Sequence, residues 1–213
     1  MEANPVKLNT LLICAAAVIA LELAAGIIIA GNILPSSIGL GVARMFQILL
    51  MLTIIGKLEM GFKTLGILRS TILKGLQKGM IWSFCFGLAS LFVMGLLLLF
   101  SADVTKFFRV SSPSPNELFF YFFDGIMLGP LAEELFFRGL LFGYFRKFGF
   151  APALIISTLI FIIPHISGSS IPITQIVGGL LFAAAYEVEK NLIVPIVIHC
   201  LGNLAIFTLA YTV

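Results

Sequence analysis

Charge is what this sequence has least of. Only 11% of its 213 residues are Asp, Glu, Lys or Arg, while 60% are apolar or aromatic; a soluble domain carries about 25% charged and about 45–50% apolar residues. That balance excludes a water-soluble globule and, by the same arithmetic, a disordered chain. The 13 basic side chains leave a net charge of +3 and are scattered along the chain, which excludes a nucleic-acid-binding face. Cysteine is scarce too: Cys14, Cys85 and Cys200 all fall in apolar stretches, with no CxxC pair. A disulfide framework and a thiolate metal site are thereby excluded. The remaining class is a polytopic membrane protein.

At roughly 20 apolar residues per crossing, the sequence offers seven candidate spans: 10–33, 36–56, 80–101, 118–143, 150–166, 172–188 and 191–212. The expected fold is all-α, an integral membrane helical bundle of about seven transmembrane helices in a single membrane domain over 1–213. From Lys57 to Gly79, Leu and Ile side chains alternate with Lys57, Lys63, Arg69, Lys74 and Lys78, a mixture that predicts an amphipathic helix lying in the interface. The first apolar run, Leu11 to Leu34, is interrupted by Glu22 and has no small-residue cleavage site, so it is expected to be a retained helix rather than a secretory signal. Ser101 to Asn116, with Pro113 and Pro115, is the one clear loop. Outside the spans, Lys7, the five cations of the amphipathic stretch, Arg146, Lys147 and Lys190 fall on one side, against Lys106 and Arg109 on the other. Nine against two predicts a cytoplasmic N-terminus and, for an odd number of spans, an outer Val213.

An ionisable group inside a bilayer costs about 3 kcal/mol or more unless it is paired or hydrated. Those inside the spans are Glu22, Arg44, Asp124, Glu133, Glu134, Arg138, His165 and His199. Glu22 and Arg44 both lie roughly 18 Å from the cytoplasmic ends of their spans at 1.5 Å per residue, the match expected of an ion pair tying the first two helices together. Asp124, near the outer end of its helix, is expected to be hydrated. The only two histidines of the chain fall in spans, and so do its only adjacent carboxylates, Glu133 and Glu134. Their depths, roughly 12–22 Å, are compatible with one buried site.

Helical spacing assigns roles within that site. Glu134 and Arg138 are i and i+4 with the acid first, the favourable order for a pair on one face. Glu133 points about 100° away, in line with Gly125 and Gly129, a small-residue strip that admits another helix. Pro130 has no N–H for the Ile126 carbonyl, which leaves a polar group for water. His199 and Asn203, again i and i+4, present an imidazole and an amide together. A water between Glu133 and His165, facing donors from His199 and Asn203, has the composition of an amide-hydrolysing centre: a general base and an oxyanion site. The bland alternative is a polar cluster that packs three helices without chemistry.

Three motifs stand in order on these spans. Glu133-Glu134-Leu135-Phe136-Phe137-Arg138-Gly139 resembles the EExxxR(G) motif of the CAAX protease and bacteriocin-processing (CPBP, or Abi) family of glutamic intramembrane proteases; Phe161-Ile162-Ile163-Pro164-His165 resembles its FxxxH motif, and His199-Cys200-Leu201-Gly202-Asn203 its HxxxN motif. The resemblance covers roughly Glu117 to Val213, with residues 118–213 as the catalytic core. It implies a peptide hydrolase in which Glu133 activates water with His165, Glu134 is held by Arg138, and His199 with Asn203 stabilises the tetrahedral intermediate. It further implies a membrane-associated peptide or protein as substrate and a prokaryotic cytoplasmic membrane as the location.

Other intramembrane chemistries lack their residues. HExxH is absent, Asp103 of the two aspartates lies in or beside a loop, no GxSG occurs, and Ser167, Ser169 and Ser170 sit in a Gly/Ser turn. Cys200 is about 100° round its helix from His199. No metal is expected, yet Glu133, His165 and His199 are also the three N/O ligands of a catalytic zinc. Asn203 as a neutral donor, and the scarcity of outer partners for both imidazoles, favour metal-free hydrolysis. A non-proteolytic immunity or regulatory protein and a proton-coupled transporter are the competing classes; inverted halves, which a transporter would show, are not visible.

The cation count is checked by cysteine labelling from outside the cell. A cysteine at Ser112 is expected to react and one at Lys63 to be protected; equal labelling of both contradicts the orientation.

Overall fold

Proline and glycine punctuate the apolar runs, and several helices begin or end beside them. The computed structural model describes residues 6–101, 104, 115–166 and 171–212. Asp103, Lys106, Arg109, Ser112 and Pro113 of the expected loop, and Ser167, Ser169 and Ser170, lie outside the described residues. Seven long helical segments run through the rest: α1 (Leu8–Ala30), α2 (Ser36–Leu58), α3 (Ile72–Leu99), α4 (118–145), α5 (Phe150–Ile162), α6 (Ile173–Glu189) and α7 (Ile193–Thr212). α2 follows Pro35, α5 follows Gly149 in a left-handed conformation (φ 110°), and α6 follows Pro172. No strand occurs among the described residues. The chain is an all-helical integral membrane bundle.

The seven segments match the seven expected spans in position, but they differ in kind. Among the described residues, four helical stretches are long and apolar enough to cross a membrane: Leu8–Ala30, Ser36–Leu58, Gly61–Leu99, of which α3 is the continuous helix, and Ile193–Tyr211. The others are compromised by what they carry. α4 holds Asp124, Glu133, Glu134 and Arg138, and α5 and α6 have 13 and 17 residues, short of the roughly 20 a crossing needs.

The basic stretch 57–79 is not one interfacial helix. Gly61 (φ 69°) and Gly66 (φ 72°) take left-handed backbone, through which an α-helix cannot run. The stretch therefore divides into two 3-10 turns, Gly61–Leu65 and Arg69–Thr71, and the first two turns of α3. This connector is bolted to the α6–α7 turn. The Leu192 N–H donates to the Leu65 carbonyl (3.2 Å) and the Asn191 side-chain amide to the Thr71 carbonyl (2.9 Å). A Cβ at Gly66 would lie 1.9 Å from the Lys190 carbonyl oxygen, so both the backbone angle and the close approach require glycine.

α1 and α2 form a hairpin joined inside the membrane as depth matching predicts. Arg44 pairs with Glu22; Gln47 accepts from Arg44 (2.9 Å) and donates to Glu22 (3.0 Å), closing a triangle. α2 packs on α4, α3 along α7, and α5 on α6. α3 buries only Gly75 and Gly79, against Ile193 and Val197 of α7. The core is filled by Met51 and Ile55 of α2, Leu65 of the connector, Leu135, Leu140 and Phe142 of α4, Phe161 of α5 and Leu192.

Gly66→Ala is expected to cost at least about 2 kcal/mol, from the left-handed backbone and the backbone clash together, read as a lowered thermal midpoint of the purified protein. Gly56→Ala, where a Cβ meets nothing within 4 Å, should leave the midpoint unchanged or raise it.

Candidate active site

The site starts from irregular backbone in α4. Between regular stretches Leu118–Phe123 and Gly129–Glu134 lies a π-helical turn, Asp124–Leu128, and a second π segment, Leu135–Phe142, follows. Within the first, the Gly129 N–H bonds the Asp124 carbonyl five residues back. In that register the next donor, at residue 130, would serve Gly125, and Pro130 has none. The Gly125 carbonyl is thus left without that donor, and Asn203 of α7 serves it, donating Nδ2 at 2.7 Å. Gly125 also admits Phe207 of α7, whose ring would lie 2.4 Å from a Cβ there; Gly129 meets only its own helix's Asp124 carbonyl. Of the expected small-residue strip, Gly125 alone serves the approach of a helix.

Glu134 is fully buried and shared. Its Oε1 accepts from Arg138 Nη1 at 3.0 Å and from His199 Nδ1 at 2.8 Å. Arg138, buried as well, donates a further bond to the Gly179 carbonyl of α6 (3.3 Å). So the predicted Glu134–Arg138 pair exists, and it carries more than expected, because the same carboxylate orients His199. Since a carboxylate only accepts, His199 Nδ1 carries the hydrogen and Nε2 points away, toward Glu133 at 3.8 Å. The Glu133 side chain is 21% exposed where that of Glu134 is 0%.

His165 ends the short 3-10 turn Ile163–His165 after α5. Its Nδ1 lies 2.9 Å from the Phe161 carbonyl, one of the last carbonyls of a helix and so free to accept. Nδ1 again bears the hydrogen and Nε2 is the free nitrogen. His165 does not pair directly with Glu133; it joins the site through Phe161, whose ring lies 5.0 Å from the His165 ring and 6.2 Å from that of His199. The structure therefore brings Glu133, Glu134, Arg138 and His199 into one network, with His165 beside it across an aromatic ring and Asn203 one turn beyond His199.

Two aromatic residues and a glycine were not assigned roles by sequence. Phe182 of α6 stacks on His199 (4.6 Å, 23°), and the Arg138 guanidinium sits over Phe161 at 4.5 Å and Phe182 at 5.1 Å. Cation–π contact of this kind compensates a desolvated cation. Gly179, which gives Arg138 its carbonyl, would bring a Cβ 2.8 Å from Thr158 of α5; the pair Gly178-Gly179 within an apolar helix was the available signal. Asp124, expected to be hydrated, is half-buried, with Oδ1 enclosed and without a hydrogen-bond partner among the described residues.

Among the described residues no three His, Cys, Asp or Glu side chains are gathered closely enough to hold a metal ion. The expected shortage of outer partners for the imidazoles is nevertheless not met: His199 has Glu134 and His165 has the Phe161 carbonyl.

Comparison with known proteins agrees with the three motifs. Residues 115–205, which include Glu133, Glu134, Arg138, His165, His199 and Asn203, match the family model described as type II CAAX prenyl endopeptidase Rce1-like. The chain is 40% identical over 91 residues to the membrane-embedded CAAX protease MroQ of Staphylococcus aureus (strain USA300), an alignment spanning 39% of this chain and 36% of that protein. The chain thus spans about a third of the length of the curated relative that it matches. No solved structure matches it.

Arg138→Ala is expected to reduce folded yield before it reduces chemistry, because it strips a partner from a buried carboxylate at a cost of about 3–5 kcal/mol. Normal yield and melting with selective loss of activity contradict this structural role.

Proposed function

We propose, from the match of residues 115–205 to the type II CAAX prenyl endopeptidase Rce1-like model and their likeness to MroQ, that the chain is an intramembrane endopeptidase whose water is activated by Glu133. The observation that carries the reading is the contrast between adjacent carboxylates. Glu134 is spent on holding His199, while Glu133 is accessible beside His199 Nε2.

In this mechanism Glu133 takes a proton from water as the oxygen attacks the substrate's peptide carbonyl, and the protonated Glu133 then delivers that proton to the leaving amine. His165, with Nδ1–H held by Phe161, offers the Nε2 lone pair to the second hydrogen of the same water and orients it. His199, anchored through Nδ1–H to Glu134, donates from Nε2 to the oxyanion in its protonated form. Asn203 spends one amide hydrogen on Gly125 and turns the other toward the oxyanion, so its bond to the backbone aligns it. A positioned oxyanion donor contributes about 3–4 kcal/mol. The substrate is a membrane-associated peptide or protein, and the N-terminus and connector face the cytoplasm of a prokaryotic cell.

A second reading has a specific observation behind it. Anchoring each imidazole through Nδ1 to an oxygen, with Nε2 free, is also how metal-ligating histidines are oriented. His165 and His199, with Glu133, would then be ligands to zinc. The acid–base reading is preferred because, among the described residues, His165 is not gathered with Glu133 and His199 into a three-ligand cluster.

Both are tested on one preparation. Comparative peptidomics of cells carrying wild type and Glu133→Gln is expected to reveal products lost in the variant, with the rate on an identified substrate falling at least about a hundredfold. Activity of detergent-purified protein should survive prolonged chelation. Products that persist in Glu133→Gln overturn the proposal, and stoichiometric zinc whose removal abolishes and whose return restores activity makes Glu133 a ligand.

A further inference from the structure

The cations of the connector are not used by the site. Lys57, Lys63, Arg69 and Lys74 are all exposed, and none takes part in an ion pair among the described residues. The nearby acids are already engaged. Glu59 accepts from the Lys7 backbone N–H (3.0 Å) and the Thr10 hydroxyl (2.5 Å). Glu189 accepts from Trp82 (3.1 Å) and pairs with Lys78 (3.5 Å), and Glu187 holds Arg146 (2.6 Å) and Lys190 (2.6 Å). Four exposed positive charges, from the last turn of α2 to the first turn of α3, are therefore without local neutralisation.

Exposed apolar side chains, Met60, Phe62 and Leu73, are interleaved with them. The array lies between the end of α2 and the start of α3, where two membrane-crossing helices leave the hydrocarbon. An acidic soluble partner would satisfy the cations and leave these three apolar groups uncovered; a phospholipid leaflet satisfies both, with headgroups on the cations and acyl chains on the apolar groups. The surface is also held rigidly. Leu65 lies under it, and its Cδ2 is 3.1 Å from where a Cβ would stand on Gly139, the residue after Arg138. What binds the connector is thus braced against the helix that carries Glu134 and Arg138.

We propose that Lys57, Lys63, Arg69 and Lys74 form a binding surface for anionic phospholipid headgroups, which brace the connector against α4. The surface does not depend on the hydrolytic reading, and its test requires no substrate. Trp82, the single tryptophan, stands one turn beyond Lys78 on α3 and reports on nearby lipid. The protein is placed in phosphatidylcholine nanodiscs, and quenching of Trp82 by dansyl-phosphatidylglycerol is compared with quenching by dansyl-phosphatidylcholine.

Each engaged cation is worth about fivefold in headgroup preference, so half-maximal quenching by the anionic probe is expected at a mole fraction at least about tenfold lower. The preference should shrink with added salt. It should vanish in the variant carrying Lys57→Gln, Lys63→Gln, Arg69→Gln and Lys74→Gln, whose fold is checked by circular dichroism. Unlabelled phosphatidylglycerol should raise the thermal midpoint of wild type and not of the variant; if the fourfold variant fails to fold, the pairs Lys57→Gln with Lys63→Gln and Arg69→Gln with Lys74→Gln should each lose part of the preference. Equal quenching by the two probes, a preference that survives the substitutions, or displacement of the anionic probe by soluble polyglutamate overturns the proposal, the last in favour of an acidic protein partner.

Discussion

A single buried oxygen, Oε1 of Glu134, organises the centre of this protein. It receives a hydrogen from Arg138 on its own helix and another from His199 on α7, and through Arg138 it reaches the Gly179 carbonyl of α6. Three helices are thereby joined at one point. An ion pair this deep sacrifices hydration, and here Glu134 Oε2 and Arg138 Nε are enclosed without a hydrogen-bond partner among the described residues. Phe161 and Phe182 compensate in part by closing over the guanidinium, and Phe182 also stacks on the imidazole it helps to place. The result is a histidine with one nitrogen fixed and the other aimed outward, which no isolated side chain in a lipid bundle could sustain.

The neighbouring carboxylate shows what one helical step accomplishes. Glu133 is rotated about 100° from Glu134, and that rotation separates a side chain locked into packing from one within reach of water. Backbone irregularity serves the same end. π turns cluster at functional sites because they displace donors from acceptors, and here the displaced acceptor, Gly125, fixes the amide of Asn203. Pro130 thus acts on the site without touching it.

Much of the site was legible because a bilayer makes ionisable residues rare. With two histidines and one adjacent pair of carboxylates in the chain, the residues of the candidate site could be found by type and depth, and Glu22 with Arg44 could be paired in the same way. Phe182 could not be, since 21 phenylalanines offer no contrast among themselves, and Phe161 stood out only as the first residue of the FxxxH motif. The Asn203 contact depends on a one-residue change of helical register, which leaves no trace in apolar periodicity. The shape of the connector was a matter of weighting: the alternation of apolar and basic residues suggested a helix, while Gly61 and Gly66 carried the stronger constraint. The outer partner of His165 is a backbone carbonyl left over where α5 ends, and no side-chain pattern marks the residue at which a helix stops.

The half of the chain without motifs bears on the same chemistry through charge. α2 packs against α4 where Gly41 faces Asp124, and Asp124 lies in the electrostatic field of Arg44, Glu22 and Glu133 together. Counting what the bundle encloses at this level, Glu22, Asp124, Glu133 and Glu134 stand against Arg44 and Arg138. Glu22 is matched by Arg44 and Glu134 by Arg138, which leaves Asp124 and Glu133 without an Arg or Lys partner among the described residues; Glu133 faces His199 Nε2 at 3.8 Å. Carboxyl groups left so inside a membrane protein must be met by protons, by an imidazolium or by water. A packing cluster kept for architecture alone would have no use for that excess, whereas the proposed hydrolysis needs both water and a group to carry its proton. The two ion pairs therefore fix the helices, and the remaining carboxyls leave the bundle hydrated or protonated where the proposed chemistry requires it.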